Sequence, residues 1–84
     1  MTQARKLTAV FEGGQILTRT TKTPTLSHAW RCEGANYWES EKAWHTWDAT
    51  GFSSSSEKAH KAASACGWGR KRIDKIEVVE CLVA

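Results

Sequence analysis

The chain has 84 residues, 40% of them apolar and 25% charged, with a formal net charge of +3. That length allows one domain with a small core, and the composition is that of a folded protein rather than a disordered one. No apolar run approaches the roughly 20 residues that span a bilayer, and Met1 to Lys6 has no apolar stretch behind its charges, so an intracellular protein with no membrane partner is expected.

Leu7 to Glu12 and Gln15 to Thr20 are strand-like runs around Gly13-Gly14. A two-residue type I′ loop there places Phe11 opposite Ile16 and Ala9 opposite Thr18, with Leu7, Ala9, Phe11, Ile16, Thr18 and Thr20 on one face. Thr20 to Thr25 is a polar loop containing the only proline, Pro24. Leu26 to Cys32 reads as a third strand with Leu26, His28, Trp30 and Cys32 on one face. Glu33-Gly34-Ala35-Asn36 reads as a turn, and the sequence of Tyr37 to Lys42 is ambiguous. Ala43 to Ala49 reads as a fourth strand, and its alternation puts Trp44 and Trp47 on opposite faces, so at least one of them points away from the core.

Ser54 and Glu57 fit a capping box at the start of a helix. Ala59, Ala62, Ala63 and Cys66 form a narrow stripe of small side chains, suited to lying close on a sheet that carries large residues. Gly67 suits the left-handed residue after the helix end. Ile73 to Val83 reads as a closing strand whose alternation slips between Ile76-Val78 and Val79-Cys81-Val83, through a bulge or through cover on both faces. The order β-β-β-β-α-β predicts an α+β domain over residues 1–84: a curved antiparallel sheet with one helix packed across it.

Four of the five tryptophans, Trp30, Trp38, Trp44 and Trp47, fall close together in sequence. With few other large apolar side chains available, about three of the five are expected to be mainly buried. Charge is segregated along the chain. Residues 30–48 carry Arg31 and Lys42 against Glu33, Glu39, Glu41 and Asp48. Residues 58–75 carry Lys58, Lys61, Arg70, Lys71, Arg72 and Lys75 against Asp74 alone.

The candidate chemistries differ in how well the residues serve them. Cys32, Cys66 and Cys81 are odd in number and widely spaced, which suits reduced thiols rather than a disulfide framework. His28 and Cys32 share a strand face, but no set of four ligands at zinc spacings exists, and neither metal nor cofactor is expected. No nucleophile sits on a sharp strand-to-helix turn and no pair of acids stands out, so the protein is expected not to be an enzyme. The glycines of Gly67-Trp68-Gly69-Arg70 follow a helix rather than precede one, so they do not form a phosphate cradle. Two binding surfaces remain. An acidic, aromatic set, Tyr37, Trp38 and Trp44 with Glu39, Glu41 and Asp48, suits a protein-binding patch of rigid rings inside a charged rim. Alternatively, Arg70, Lys71, Arg72, Arg19 and Lys6 could hold nucleic-acid phosphates, although the rings that would stack on bases lie in the acidic stretch.

Thr18-Arg19-Thr20, Ser27-His28-Ala29-Trp30 and Gly51-Phe52-Ser53-Ser54 followed by Lys58-Ala59 resemble short motifs of small orphan accessory proteins of tailed bacteriophages, especially those of actinobacteria. The likeness spans about residues 18–80, with Leu26-Ser27 standing where that group commonly has Tyr-Thr. The resemblance implies an accessory viral protein in the host cytoplasm, acting by binding a host protein, such as a component of a defence system, or nucleic acid. It carries over no functional residues. The reading reached is a non-enzymatic phage accessory protein that binds and modulates a host protein such as a defence-system component, with inhibition the favoured form, and a small nucleic-acid-binding module as the alternative. A dimer is open to the chain.

Overall fold

The computed structural model describes residues 4–23 and 25–83. The first three residues, read above for a leader, and Pro24 in the polar loop lie outside them. The chain runs β1 (Arg5–Val10), β2 (Ile16–Thr21), β3 (His28–Trp38), β4 (Ala43–Ser53), α1 (Ser56–Ser64), β5 (Lys71–Glu80) and β6 (Leu82–Val83). The class is α+β, but the strands form two three-stranded antiparallel sheets rather than one curved sheet. Sheet A has the order β2-β1-β6 and sheet B the order β4-β3-β5. The closing strand is what divides them. It breaks at the buried Cys81, whose N–H donates to Ser27 O at 2.8 Å, and the two residues that follow pair with β1 instead of β3.

The β1–β2 hairpin differs from the expected register by one residue. Val10 faces Ile16 and Ala9 faces Leu17. The Phe11 N–H donates to Gln15 O, so the loop is Glu12-Gly13-Gly14, with φ of 91° and 92° at the two glycines. A one-residue shift exchanges the faces of a strand. Leu7, Ala9 and Phe11 therefore share the core face with Leu17, while Ile16, Thr18 and Thr20 turn outward with Val10 and Thr8.

Sheet B is longer. β3 and β4 each have 11 residues, and residues 33–36 continue β3 instead of turning. Gly34 is there for lack of space. A Cβ on it would lie 2.4 Å from the Arg72 carbonyl oxygen and 2.8 Å from the Trp47 ring. The buried Asn36 donates from Nδ2 to the Trp68 carbonyl, which ties the loop after α1 to the middle of the sheet.

Helix α1 packs on β5, β3 and β4 and covers one face of sheet B. Its buried residues, Ala59 and Ala63, belong to the predicted small-residue stripe. The cap is Ser55, one residue later than expected, whose hydroxyl accepts from Lys58 N; with lysine at that position there is no capping box, and Glu57 lies in the first turn near the positive helix end. Gly67, with φ 83°, turns the chain away after the C-cap Ala65.

Sheet A packs on the other face of sheet B, but only at one end. Leu7, Ala9, Phe11, Ala29 and Cys81 form the buried cluster, with Leu17, Leu26, Phe52 and Val79 against it. This explains the slip in the closing strand. Val78 pairs with Trp30 on the helix side and Val79 with Ala29 on the sheet A side, so that end of β5 is covered on both faces. The tryptophans depart from expectation: Trp38, Trp44 and Trp68 are exposed, at 43%, 40% and 71%, while Trp30 and Trp47 are half-buried on the helix face. Trp44 is exposed because sheet B, in a molecule 52 × 25 × 19 Å across, runs well beyond what sheet A covers, whereas Trp38 ends β3 on the helix face and Trp68 lies in the loop after α1.

Gly34→Ala is expected to destabilise the fold by about 3 kcal/mol, because the backbone oxygen of Arg72 cannot rotate away. Urea denaturation measures the loss. A change under about 0.5 kcal/mol would show that β3 relaxes around the new methyl group.

Candidate functional site

Beyond Arg31 and Glu77, whose carboxylate accepts from the Glu12 N–H of the β1–β2 loop, the face of sheet B opposite the helix is bare. Alternation along β3 and β4 gives it Arg31, Glu33, Ala35 and Tyr37, with Thr50, Asp48, Thr46 and Trp44 beside them. What β5 adds depends on one irregularity. Glu33 pairs with Lys75 but Gly34 pairs with Ile73, so Asp74 is an extra, bulged residue. Without the bulge, Ile73 would share a face with Ala35 and Arg72 would point under the helix. With it, Ile73 joins the helix side and is half-buried, and Arg72 pairs with Ala35 on the open face. The Tyr37 N–H donates to the Arg70 carbonyl at 2.9 Å, so Arg70 continues the same row.

The outcome is a cluster at the far end of the open face. The rings of Tyr37 and Trp44, paired across β3 and β4, have centroids 5.4 Å apart at 59°. The Arg70 guanidinium lies 4.4 Å from the Tyr37 ring and 5.8 Å from the Trp44 ring, and that of Arg72 lies 5.1 Å from Trp44. Cations over electron-rich ring faces attract them and hold the rings in place. Each arginine also has an acid. Arg72 is held by Asp74 through two hydrogen bonds of 2.6 and 3.2 Å, which with the Asp74 charge raise its pKa further. Arg70 lies 3.8 Å from Glu39. Nearer the centre, Arg31 pairs with Glu33 and Lys75 with Glu77. A groove of about 350 Å³ opens between these rows, lined by Arg31, Glu33, Thr46, Asp48 and Asp74 with Gly34 and Trp47. Asp48 has no ion-pair partner among the described residues.

The expected site residues are thus redistributed. Tyr37, Trp44 and Asp48 lie on the open face, and Glu39 joins them through Arg70. Trp38 points to the other face, where it stacks on His45 with a centroid separation of 4.1 Å, and Glu41 pairs with that histidine. Of the five cations suggested for phosphate contacts, only Arg70 and Arg72 come together. Lys71 lies between them on the helix side, where Nζ donates to Ser64 O and Cys66 O and satisfies the helix end. Arg19 sits 5.8 Å from the Phe52 ring at the other end of the molecule. Lys6 pairs with Thr20 on the outer face of sheet A. Arg31, Glu33, Thr46 and Asp74 were not expected. Their signal is the continued alternation of β3, hidden by Gly34, and the bulge, which has no signature in composition.

The other reactive groups are tied into the structure. The Ser27 hydroxyl lies 2.7 Å from His28 Nδ1 but donates to Ser54 O at 3.0 Å, at the junction of β4 with the helix cap. Cys32 and Cys81 are buried and Cys66 half-buried, all three as free thiols. Burial pushes the thiol pKa of Cys32 up, with further contributions from Cys66, and burial followed by the Glu80 charge does the same at Cys81. Among the described residues no group of three or more His, Cys, Asp and Glu side chains could hold a metal ion, and no helix is long and apolar enough to cross a membrane. Compared with protein-family models, with curated proteins and with solved structures, the chain matches none.

The raised thiol pKa values have a signed consequence. The fold favours the protonated thiols, so their contribution is fully present below the pKa of an unfolded cysteine and is lost as pH rises through the higher folded values. Stability measured by denaturant titration is expected to fall at alkaline pH, and Cys32→Ala to flatten that fall. An unchanged alkaline slope in the variant would remove Cys32 as its source.

Proposed function

We propose that the chain is a non-enzymatic accessory protein that binds and inhibits another protein, using the far half of the open face of sheet B. The observation that carries this reading is the Tyr37–Trp44–Arg70–Arg72 cluster. It joins tyrosine, tryptophan and arginine, the three residue types most enriched among binding hot spots, on one solvent-facing surface. Ion pairing and ring contacts hold these side chains before any partner arrives, which lowers the entropy cost of ordering them on association. The resemblance to phage accessory proteins supplies the source of the partner: a host protein, with a component of a defence system as the favoured target. Host cytoplasm is then the place of action.

Charge favours protein over nucleic acid. A phosphate-binding surface gathers unneutralised cations and releases counterions on binding. Here Arg72 is neutralised by Asp74, Arg70 faces Glu39, Arg31 pairs with Glu33 and Lys75 with Glu77. Lys71, Arg19 and Lys6 are elsewhere. A surface of alternating charge around exposed rings selects a partner with matching charge and apolar contact, as protein interfaces do.

The test is a pull-down with tagged protein from actinobacterial host lysate, with and without nuclease, comparing wild type with Trp44→Ala. The expected result is a stoichiometric protein partner that survives nuclease. Trp44→Ala should lower its affinity by about tenfold or more while thermal unfolding remains cooperative, since the ring is exposed rather than core. Recovery only of nucleic acid, or equal binding by Trp44→Ala, overturns the reading.

A further inference from the structure

The two edges of sheet B are built differently. β5 carries Lys71, Arg72, Asp74, Lys75, Glu77 and Glu80 and is bulged at Asp74. Charges and bulges are the usual means of keeping further strands off an edge. β4, over 11 residues from Ala43 to Ser53, has no lysine, arginine, proline or bulge, and its only formal charge is Asp48.

The direction of the free backbone groups on β4 follows from the ladder. In an antiparallel sheet, alternate residues turn N–H and C=O to opposite sides of the strand. Tyr37 donates toward β5, so the odd-numbered residues of β3 face β5 and the even-numbered ones face β4. The β4 partners of those even-numbered residues are His45, Trp47, Ala49 and Gly51. Trp44, Thr46, Asp48, Thr50 and Phe52 are left with outward N–H and C=O groups, and none of these bonds to another backbone or side-chain group among the described residues. The same five residues direct their side chains to the face opposite the helix, Phe52 beneath sheet A and the other four on the open part.

Asp48 and the groove indicate what fits. Asp48 is the unpaired acid in the middle of this edge, at the rim of the groove it shares with Thr46, Arg31, Glu33 and Asp74, where Glu33 is paired with Arg31 and Asp74 with Arg72. It is also the central residue of β4. Full-length antiparallel pairing of β4 with a second copy would set Asp48 against Asp48, and like charges directly opposite are unfavourable. A strand with a lysine or arginine at that position has the opposite effect. We infer that the partner protein contributes an extended, β-branched segment that adds to sheet B along β4, with a lysine or arginine opposite Asp48 entering the groove. This rests on the protein-binding reading above and names the form its partner takes. Main-chain hydrogen bonds supply the affinity, and the open-face side chains supply the selection.

The probe is a short synthetic peptide of alternating threonine and valine with one central lysine, set against the same peptide with a central glutamate. The readout is amide hydrogen exchange of the full chain by NMR. The lysine peptide is expected to slow exchange at Thr46, Asp48 and Thr50 by about tenfold, and the glutamate peptide far less. Thr46→Pro deletes one outward N–H and leaves the ladder to β3 intact, a position where an edge strand tolerates proline. It should abolish the protection, whereas Thr46→Val should keep it. Protection by neither peptide, or equal protection in a folded Thr46→Pro variant, overturns the inference. So does protection of these amides without peptide in a concentration-dependent dimer, which would make the occupant a second copy. A host partner captured equally by wild type and Thr46→Pro but lost with Trp44→Ala removes strand addition and leaves the binding face standing. Capture of no protein removes the binding reading itself.

Discussion

The pairing of β3 with both β4 and β5 is the constraint from which the rest of the molecule follows. It creates a sheet with two long faces, and the chain has little apolar material to cover them. The fully buried side chains are small apart from Phe11 and Leu7: Ala9, Ala29, Ala35, Ala59, Ala63 and Cys32. One short helix closes one face because alanines allow it to lie near the sheet, with Trp30 and Trp47 filling the width beneath. The β1–β2 hairpin and two residues of β6 close the other face only at the Ala29–Phe52–Val79 end. The remainder stays in water, and this incomplete cover is what leaves a surface available for binding.

On that surface a single residue decides which side chains appear. Inserting Asp74 into β5 reverses the phase of everything before it in the strand. Ile73, the apolar residue, goes under the helix, and Arg72 and Arg70 come out beside Trp44 and Tyr37. The same insertion supplies the carboxylate that holds Arg72. The bulge re-aims side chains so that the apolar residue is covered and the cationic ones are in water, which a regular strand in this register could not do.

The parts of this fold legible in the sequence are those set by local periodicity. The face of β3 bearing His28, Trp30 and Cys32 (though not Leu26, which packs on the sheet A cluster instead), the alanine stripe of α1 and the placing of Trp44 and Trp47 on opposite faces each follow from alternation or helical spacing within one segment. What was not legible depends on contacts between segments. Gly13-Gly14 gives the same local signal for a two-residue and a three-residue loop, and only the pairing of Phe11 with Gln15 distinguishes them. Gly34 looks like a turn residue because the close approach of Trp47 and the Arg72 carbonyl, which makes glycine necessary there, involves residues distant in the chain. The candidate site divides in the same way. Trp44 and Asp48 share a face by alternation and Tyr37 was proposed from the acidic, aromatic composition of its stretch, whereas their union with Arg70 and Arg72 required the continuation of β3 and the register of β5. The basic run of residues 58–75 was misleading for a related reason. It spans a helix, a loop and a strand, and the fold sends Lys71 to the helix side, where it meets carbonyl groups, while Arg70, Arg72 and Lys75 meet carboxylates on the open face.

Exposed rings and a bare strand edge both carry a cost, because each invites association without selection. Their coincidence limits that cost. On any strand the residues that turn their backbone groups one way also turn their side chains one way, so the free edge of β4 and the open face present the same residues. A strand that docks by its backbone must therefore also match Trp44, Thr46, Asp48 and Thr50 in side-chain character. Asp48, unpaired and central, opposes an acidic segment and a symmetric copy alike, and the paired charges of Arg70, Arg72, Glu39 and Asp74 oppose a partner of unbalanced charge. Under the strand-addition proposal, selectivity comes from side chains set by the β3–β4 register and the β5 bulge, and main-chain bonding is open only to a segment that satisfies them.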